Sequence, residues 1–335
     1  MLGKTKPNKS LNVWVLADDR AGSRSQSISV ADALGFNYQI KEVVYRIFSS
    51  LPNRLLGASF LGLTAESQNY LRPPWPDLVI SSGRRTAPVA RKIRSLAMKS
   101  NIDSFLVHIM DPGSNRSEFG LIALPHHDGK VKGSNIFTIT GAPHQLTKKN
   151  LESAAELWRN RIDNLNKPLI SLIVGGSTRH RYFSSKMAYE LASWASNMAL
   201  KTGGSLLIST SRRTGSATDN LIRSITAPSM IYRWDKEFKN DNPYKAFLAL
   251  ADAIIVTGDS SSMCSEACGG KKPVYIYAPT KLTAPKHRRL HQELYEMGYA
   301  RAFKADSLYE EWTHTPLNAS EDIAKAIIRT MKLNT

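Results

Sequence analysis

One pattern recurs along this sequence and constrains its fold more than any other feature. A short apolar run ends in a turn rich in Gly, Ser and Asp, and a stretch with helical spacing follows it. This succession is typical of βα units whose strands form a parallel sheet. The first half of the chain contains five such apolar runs: Leu11–Ala17, Leu78–Ser81, Ser104–Ile109, Leu121–Leu124 and Ile136–Ile139. We therefore predict a doubly wound α/β sheet there.

The pattern stops near residue 147 and then starts again. Residues 147–165 have apolar side chains at helical spacing (Leu151, Ala155, Trp158 and Ile162), which predicts a helix that separates the two halves. Five further apolar runs follow: Leu169–Val174, Ser205–Ile208, Ile231–Tyr232, Ala253–Val256 and Val274–Tyr277. The second half is therefore predicted to form a second doubly wound sheet.

These patterns predict the domain boundaries. A chain of 335 residues suits two domains of roughly 150 residues each. We expect an N-terminal Rossmann-like domain at 1–146, a linker helix at 147–166 and a C-terminal domain at 167–318. A final helix within 319–335 has an apolar stripe, and one option is that it packs back on the first domain.

Composition restricts the classes of partner. Lys and Arg outnumber Asp and Glu by 45 to 28, a net charge of +17, yet 42% of residues are apolar and only 22% are charged. This balance is typical of a folded protein with a basic surface, which suits nucleotide phosphates, an anionic membrane leaflet or nucleic acid. Nucleic acid ranks last, because the basic residues are not interleaved with stacking aromatics.

The sequence also bears on compartment and metal content. After the basic start Met1–Ser10, the apolar run is too short for a secretion signal, and no stretch approaches the roughly 20 apolar residues of a spanning helix. We expect a cytoplasmic protein, with peripheral binding at the inner face of the membrane as an alternative. Cys264 and Cys268 lack nearby partner ligands, whereas a structural zinc needs four, so no metal site is expected. Both thiols suit a reducing compartment.

The segment from Thr257 to Ala267 is the sharpest candidate for ligand binding. In open α/β sheets, ligands bind outside the carboxyl ends of strands. Serines 260 to 262 can cap a helix and leave N–H groups directed at an anion, and Glu266, about one turn further, can accept hydrogen bonds from ribose hydroxyls. The alternative is an ordinary helix cap followed by a solvated glutamate.

Two other loops are predicted to reach the same sheet edge. Gly175-Gly176-Ser177 allows close approach of the backbone to a phosphate, with Arg179 nearby. The loop after the next strand, residues 209–215, contains Arg212 and Arg213. Each basic loop alone could be solvated surface, but three at one edge favour an anion site.

At this point the chain resembles known families. Gly258 through Pro279 resembles the donor-site signature of GT-B glycosyltransferases and related sugar-nucleotide epimerases. A larger set of motifs is similar to the mitochondrial-fission ELM family, which has bacterial members: Asp18 to Gly22 with Gln26, Ser82 to Arg85, His108 to Pro112, Pro125 to Asp128, Gly175 to Ser177, and Asp259 to Glu266. The resemblance implies two Rossmann-like domains facing across a cleft.

The resemblance also implies roles for individual residues at a nucleotide-sugar site. Glu266 would bind the ribose, and Ser260, Ser261, Ser262 and Met263 the diphosphate. Gly176, Ser177 and Arg179 would contact the phosphate from the opposite side, and Arg212 a phosphate or the base.

A transferase also needs a base that removes the proton from the acceptor hydroxyl. Asp18, Asp19, His127 and Asp128 lie on N-terminal loops and are the candidates, with capping or loop structure as the alternative for each. No Asp-x-Asp motif stands on the donor side, so a divalent ion or other cofactor is not required.

Residues 43–63 allow two interpretations. This stretch combines Arg46 and Arg54 with many large apolar residues, and Pro52 and glycines interrupt any continuous helix. The apolar residues could pack into the core. The alternative is a surface patch that enters anionic lipid beside the acceptor site.

Three functions follow in order of preference. The first is a glycosyltransferase that uses a nucleoside-diphosphate sugar on a lipid or envelope acceptor. The second is a sugar-nucleotide epimerase, which shares the donor pocket and needs no acceptor. The third is a non-catalytic protein that recruits partners at a membrane, as the family name suggests.

Overall fold

The computed structural model describes residues 11–129, 131–235 and 242–333, so the basic start Met1–Ser10 lies outside the described residues. The chain divides into two compact units. One comprises the chain up to Gln145 together with the chain from Asn318 onward, and the other comprises Leu146–Leu317.

The first unit contains a six-stranded parallel sheet in the order β2-β1-β3-β4-β5-β6. Its strands are β1 (Val13–Asp18), β2 (Tyr38–Val43), β3 (Leu78–Ser82), β4 (Phe105–Ile109), β5 (Leu121–Pro125) and β6 (Ile136–Ile139). Its α-helices are α1 (Ala21–Leu34), α2 (Asn53–Leu56), α3 (Ala65–Asn69), α4 (Thr86–Met98) and the C-terminal α11 (Ala319–Met331). Strands β1, β3 and β5 are wholly buried, as expected for parallel strands covered on both faces.

The C-terminal helix α11 returns to this first sheet. Ile323 and Ile327 on its apolar stripe are buried in the same core cluster as Val30 of α1. Ser320 at its start donates a hydrogen bond to the hydroxyl of Ser29 at 3.1 Å. The chain therefore completes its first unit with its last helix.

The second unit contains another six-stranded parallel sheet, in the order β12-β11-β10-β7-β8-β9. Its strands are β7 (Leu169–Ile173), β8 (Ser205–Ser209), β9 (Ser229–Tyr232), β10 (Ala253–Thr257), β11 (Val274–Tyr277) and β12 (Arg301–Ala302). Its helices are α5 (Lys148–Arg159), α6 (Ser185–Lys201), α7 (Ala217–Arg223), α8 (Tyr244–Leu250), α9 (Ser261–Ala267) and α10 (Pro285–Glu296). The α/β fold class with two parallel sheets is thus confirmed.

Helix α5 falls within the segment 147–166 and lies in the second unit. A capping box starts it, in which the Thr147 hydroxyl accepts from the Asn150 N–H and the Asn150 side chain accepts from the Thr147 N–H. The indole of Trp158 packs edge-on against Phe247 of α8 with ring centroids 5.8 Å apart.

Two strands have no counterpart among the apolar runs in the sequence. Strand β2 is an edge strand whose Gln39 and Glu42 are exposed, so it lacks a buried run. Strand β12 has only two residues. Neither supplies the hydrophobic periodicity on which strand prediction depends.

Among the described residues, no helix combines the length and the apolar character needed to cross a bilayer.

Candidate functional site

The second sheet has a reversal of strand order beside β7. Strands β8 and β9 lie on one side of β7, whereas β10 to β12 lie on the other. The loops that follow β7 and β10 start side by side at this edge of the sheet, here called the β7/β10 crevice, because open α/β sheets bind ligands outside the carboxyl ends of their strands at such a reversal. Gly175 and Gly176 follow β7, and Asp259 follows β10. The geometry therefore places two of the sequence motifs at one crevice.

Hydrogen bonds join the two loops directly. The Gly175 N–H donates to the Thr257 hydroxyl at 2.8 Å, and the Gly176 N–H donates to the Asp259 carboxylate at 3.1 Å. A Cβ on Gly175 would overlap that carboxylate, and one on Gly176, where φ is +142°, would overlap the Arg213 carbonyl. Both positions therefore require glycine for close approach, and Gly176 also requires it for its backbone conformation.

A third loop, between β8 and α7, closes on the glycines from the other side. The hydroxyls of Ser211 and Thr214 donate to the Gly175 carbonyl at 2.8 and 2.7 Å. The Ser177 N–H donates to the Arg213 carbonyl at 2.8 Å. These contacts hold the backbone of residues 211–214 against the glycine turn and so determine which arginine of this loop turns toward the crevice.

That arginine is Arg213. Its guanidinium lies 2.7 Å from the Asp259 carboxylate, whose side chain is completely buried. Burial raises the pKa of Asp259, while Arg213 and the hydrogen bond from Gly176 oppose that rise. Arg213 also reaches the Met263 sulfur at 3.7 Å. The Arg213 side chain remains partly exposed, so its guanidinium can also contact an anion at the crevice mouth.

Helix α9 starts at this crevice. The Ser260 hydroxyl accepts from the Met263 N–H at 3.4 Å and caps the helix. Ser261 and Ser262 occupy the first two helical positions, where N–H groups have no partner within the helix, and both residues are half-buried. Their donors are therefore available to an anion that enters the crevice.

Glu266, in the same helix, has a partner that the sequence did not indicate. One of its carboxylate oxygens accepts a short hydrogen bond from the Tyr244 hydroxyl. Burial raises the pKa of Glu266, and the Tyr244 hydrogen bond acts in the opposite direction. The carboxylate is thus held by one oxygen, which leaves the other to accept from a ligand hydroxyl.

The structure separates the predicted donor-site residues into two groups. Those that lie at the crevice or at the start of α9 are Gly176, Ser177, Ser260, Ser261, Ser262 and Met263, whereas Glu266 lies further along α9 and contacts Tyr244 of α8. Arg179 and Arg212 are exposed on their loops. Sequence reasoning did not single out Arg213, Asp259 and Tyr244. The tandem arginines indicated a basic loop, but only the loop's hydrogen bonds select Arg213.

The first sheet has its own reversal of strand order, between β1 and β3. Asp18 is the last residue of β1 and Asp19 follows it, and Arg85 follows β3. The Arg85 guanidinium donates short hydrogen bonds to both carboxylates, and it stacks on the Tyr45 ring at 4.4 Å. The Arg20 N–H adds a bond to Asp18 at 2.9 Å.

This network changes the basicity of the two aspartates. Burial raises the pKa of Asp18. Burial also acts to raise the pKa of Asp19, but hydrogen bonds with Asp18 and Arg85 outweigh it and hold that pKa below its usual range. Asp19 is therefore a weaker base than an isolated carboxylate.

His127 and Asp128 follow β5, in a short 3₁₀ turn, and form a separate group. His127 is buried, and its Nε2 lies 4.0 Å from the Asp128 carboxylate. Strands β3 and β4 lie between β1 and β5, and adjacent strands are about 4.8 Å apart, so the two groups begin about 14 Å from each other along the sheet edge. The four candidate bases therefore do not form one cluster.

No group of three His, Cys, Asp or Glu side chains with metal-binding geometry occurs within 11–129, 131–235 and 242–333.

Comparison with known proteins agrees with this architecture and confirms the resemblance seen in the motifs. The model of the family described as Mitochondrial fission ELM1 matches residues 21–331. A relative from Rickettsia prowazekii, named Uncharacterized protein RP120, is 31% identical over 97% of this chain and 99% of its own length. The Mitochondrial fission protein ELM1 of Arabidopsis thaliana is 28% identical over 82% of this chain and 68% of its own.

Solved structures with a similar fold include an epimerase and a glycosyltransferase. The UDP-GlcNAc 2-epimerase of Methanocaldococcus jannaschii, solved in complex with UDP-GlcNAc and UDP, superposes with a TM-score of 0.53 at 15% identity, covering 95% of this chain and all of the other. A kitacinnamycin glycotransferase superposes with a TM-score of 0.50 at 12% identity, covering 97% and 94%. The fold is that of GT-B glycosyltransferases and these epimerases.

Proposed function

The chain belongs to the mitochondrial fission ELM1 family, and we propose that it is a GT-B-type glycosyltransferase that uses a nucleoside-diphosphate sugar. One observation carries this proposal. Unpaired helix-start donors of α9 and the Arg213–Asp259 pair lie beside a glycine turn that allows close backbone approach, and Glu266 follows in the same helix. A nucleotide ligand needs donors for its phosphates, an acceptor for its ribose hydroxyls and a backbone that it can approach closely.

The donor contacts follow from this geometry. The N–H groups of Ser261 and Ser262 would bind the diphosphate, and Arg213 would add charge to them. The oxygen of Glu266 that Tyr244 leaves available would accept from a ribose hydroxyl. The exposed Arg179 could also contact the phosphates, because an exposed side chain loses less hydration when it moves to a ligand.

The transfer step needs groups on both reacting partners. The acceptor hydroxyl attacks the anomeric carbon, its proton passes to a base, and the nucleoside diphosphate leaves with the bonding electron pair. Arg213 and the α9 donors would stabilise the charge that develops on the leaving diphosphate. The base would come from Asp18 with Asp19, or from His127 with Asp128. We propose a lipid or envelope acceptor.

An epimerase is the second candidate, because the methanogen enzyme that superposes on this chain is a UDP-GlcNAc 2-epimerase. It would use the same nucleotide contacts and would place acid and base groups around one sugar carbon without an acceptor.

The buried thiols of Cys264 and Cys268 support a reducing compartment such as the cytoplasm for either activity.

Thermal denaturation with UDP and its sugars tests the nucleotide site first. Ligand at a hundredfold its Kd should stabilise the fold by about 2.7 kcal/mol. Incubation with labelled sugar nucleotides and an envelope lipid extract then separates the reactions. Label in lipid supports transfer, and an epimerised sugar nucleotide supports epimerisation. Binding without either product supports a recruitment protein, and no binding by any nucleotide rejects the site itself.

A further inference from the structure

Residues 44–63, here called the 44–63 loop, expose large apolar side chains. They connect β2 to α3 and contain a 3₁₀ turn and the short helix α2. The exposed fractions are 82% for Ile47, 50% for Phe48, 72% for Leu55 and 55% for Leu61. Packing of this stretch into the core, one of the two interpretations of its sequence, therefore does not apply to these four side chains.

The exposure does not come from a loosely held backbone. The buried Asn53 amide donates to the carbonyls of Arg84 and Pro112 at 2.8 and 2.7 Å. The Arg84 guanidinium in turn donates to the carbonyls of Leu51 and Ser49 at 2.6 and 2.7 Å. The loop thus directs its polar anchors inward and its apolar side chains outward, which is the reverse of a loop adapted only to water.

The charges on the loop are of one sign. Arg46 and Arg54 are its only charged residues, and both are exposed. The nearest acidic residues along the chain, Glu42 and Glu66, lie outside it. Exposed apolar side chains interleaved with arginines are typical of surfaces that lie in the interface of an anionic bilayer.

We propose that the 44–63 loop docks the protein on anionic lipid. Ile47, Phe48, Leu55 and Leu61 enter the boundary between headgroups and acyl chains, and the two arginines bind lipid phosphates. A second copy of the chain is a poorer partner for this loop than lipid. A symmetric dimer would place the patch against itself and bring four arginines together with no acidic residue from either loop. The proposal does not depend on the glycosyltransferase proposal, because it uses no residue of the nucleotide crevice.

Vesicle flotation of the full chain tests it. Vesicles of phosphatidylcholine alone are compared with vesicles that contain phosphatidylglycerol, at low and high salt. We expect the protein to float with the anionic vesicles, and salt to weaken binding. Failure to float with either kind of vesicle would overturn the proposal.

Two pairs of variants locate the binding surface. Ile47→Ser with Leu55→Ser should lower the partition coefficient about tenfold or more, since both apolar side chains are lost from the membrane. Leu157→Ser, which removes a similarly exposed leucine on α5, should leave binding unchanged.

Arg46→Gln with Arg54→Gln should weaken binding to anionic vesicles by about fivefold for each charge. Lys201→Gln with Arg223→Gln lowers the net charge equally and should have little effect. If the loop variants and the control variants lose vesicle binding equally, the 44–63 loop is not the membrane-binding surface.

A depth measurement keeps the test independent of those substitutions. Brominated lipid should quench the added fluorescence of a Phe48→Trp variant more than that of a Leu157→Trp variant. If quenching is the same in both, or if the loop variants change only self-association measured by light scattering, the loop does not dock on lipid.

Discussion

The guanidinium of Arg213 lies 2.7 Å from the carboxylate of Asp259, and this contact joins two loops that are 46 residues apart in the chain. The Asp259 side chain is completely buried and its Oδ1 has no hydrogen-bond partner among the residues described, so Arg213 and the Gly176 N–H compensate its charge. Removal of the Arg213 side chain should therefore destabilise the folded protein.

Arg213→Gln should lower the free energy of unfolding by about 3 kcal/mol, because it leaves a buried carboxylate unpaired. Adding Asp259→Asn should restore part of the loss, since the amide has no charge and its oxygen can still accept from Gly176. Urea denaturation of both variants measures the difference. If the double variant is no more stable than the single one, the charge of Asp259 is not what Arg213 compensates.

Gly176→Ala should destabilise the second unit by several kcal/mol or prevent its folding. The new methyl group would overlap the Arg213 carbonyl at a φ of +142° that other residues rarely adopt. Gly22→Ala is the matched control, because that glycine lies in α1 with open space around it. It should be stabilising by about 0.5–1 kcal/mol. Thermal melts of the two variants should move in opposite directions.

Glu266→Ala should weaken UDP binding by about 1.5–3 kcal/mol, the range for hydrogen bonds to a charged group. Tyr244→Phe should weaken it less, because it frees the carboxylate without removing it. Glu156→Ala, an exposed glutamate on α5, is the control. Isothermal calorimetry measures all three. Unchanged affinity in a folded Glu266→Ala protein would exclude the ribose role.

Asp19→Asn and His127→Asn should leave UDP affinity nearly unchanged, because neither residue belongs to the nucleotide crevice. The two residues belong to groups that are separated along the sheet edge, so only one should act as the base. That variant should lose about 100-fold or more in turnover. The labelled-transfer assay compares them. Full turnover in both variants would place the base elsewhere.

His108 should make the protein less stable in acid. Burial lowers its pKa to about 3, although Asp111 acts in the opposite direction. The unfolded chain therefore binds a proton from about pH 6.5 downward while the folded chain does not. From pH 7 to pH 5 this residue should reduce the free energy of unfolding by about 2 kcal/mol.

His108→Leu should remove that part of the pH dependence. The Ser81 hydroxyl, which contacts the imidazole at 2.8 Å, can still donate to the Val107 carbonyl at 3.1 Å. Denaturation curves of both proteins at pH 7 and pH 5 give the comparison. Identical pH dependence in the two would mean that the histidine is already neutral in the unfolded chain or charged in the folded one.

Much of the fold was predictable because it depends on periodicity. All ten apolar runs correspond to strands, and the restart at Leu169 predicted a second sheet. Strand β2 escaped prediction because an edge strand needs no buried run. The crevice motifs were also recognisable, since a strand followed by a glycine or serine turn is a local signal.

The sequence by itself determined that the chain forms two parallel α/β sheets, and it determined which loops follow the strands, because both depend on the local succession of apolar runs and turns. Only the tertiary structure decided that Arg213 rather than Arg212 meets Asp259, that Tyr244 holds Glu266, and that Ile47 and Leu55 stay outside the core. These outcomes depend on strand order and on hydrogen bonds between loops that are distant in the chain. No local pattern contains that information.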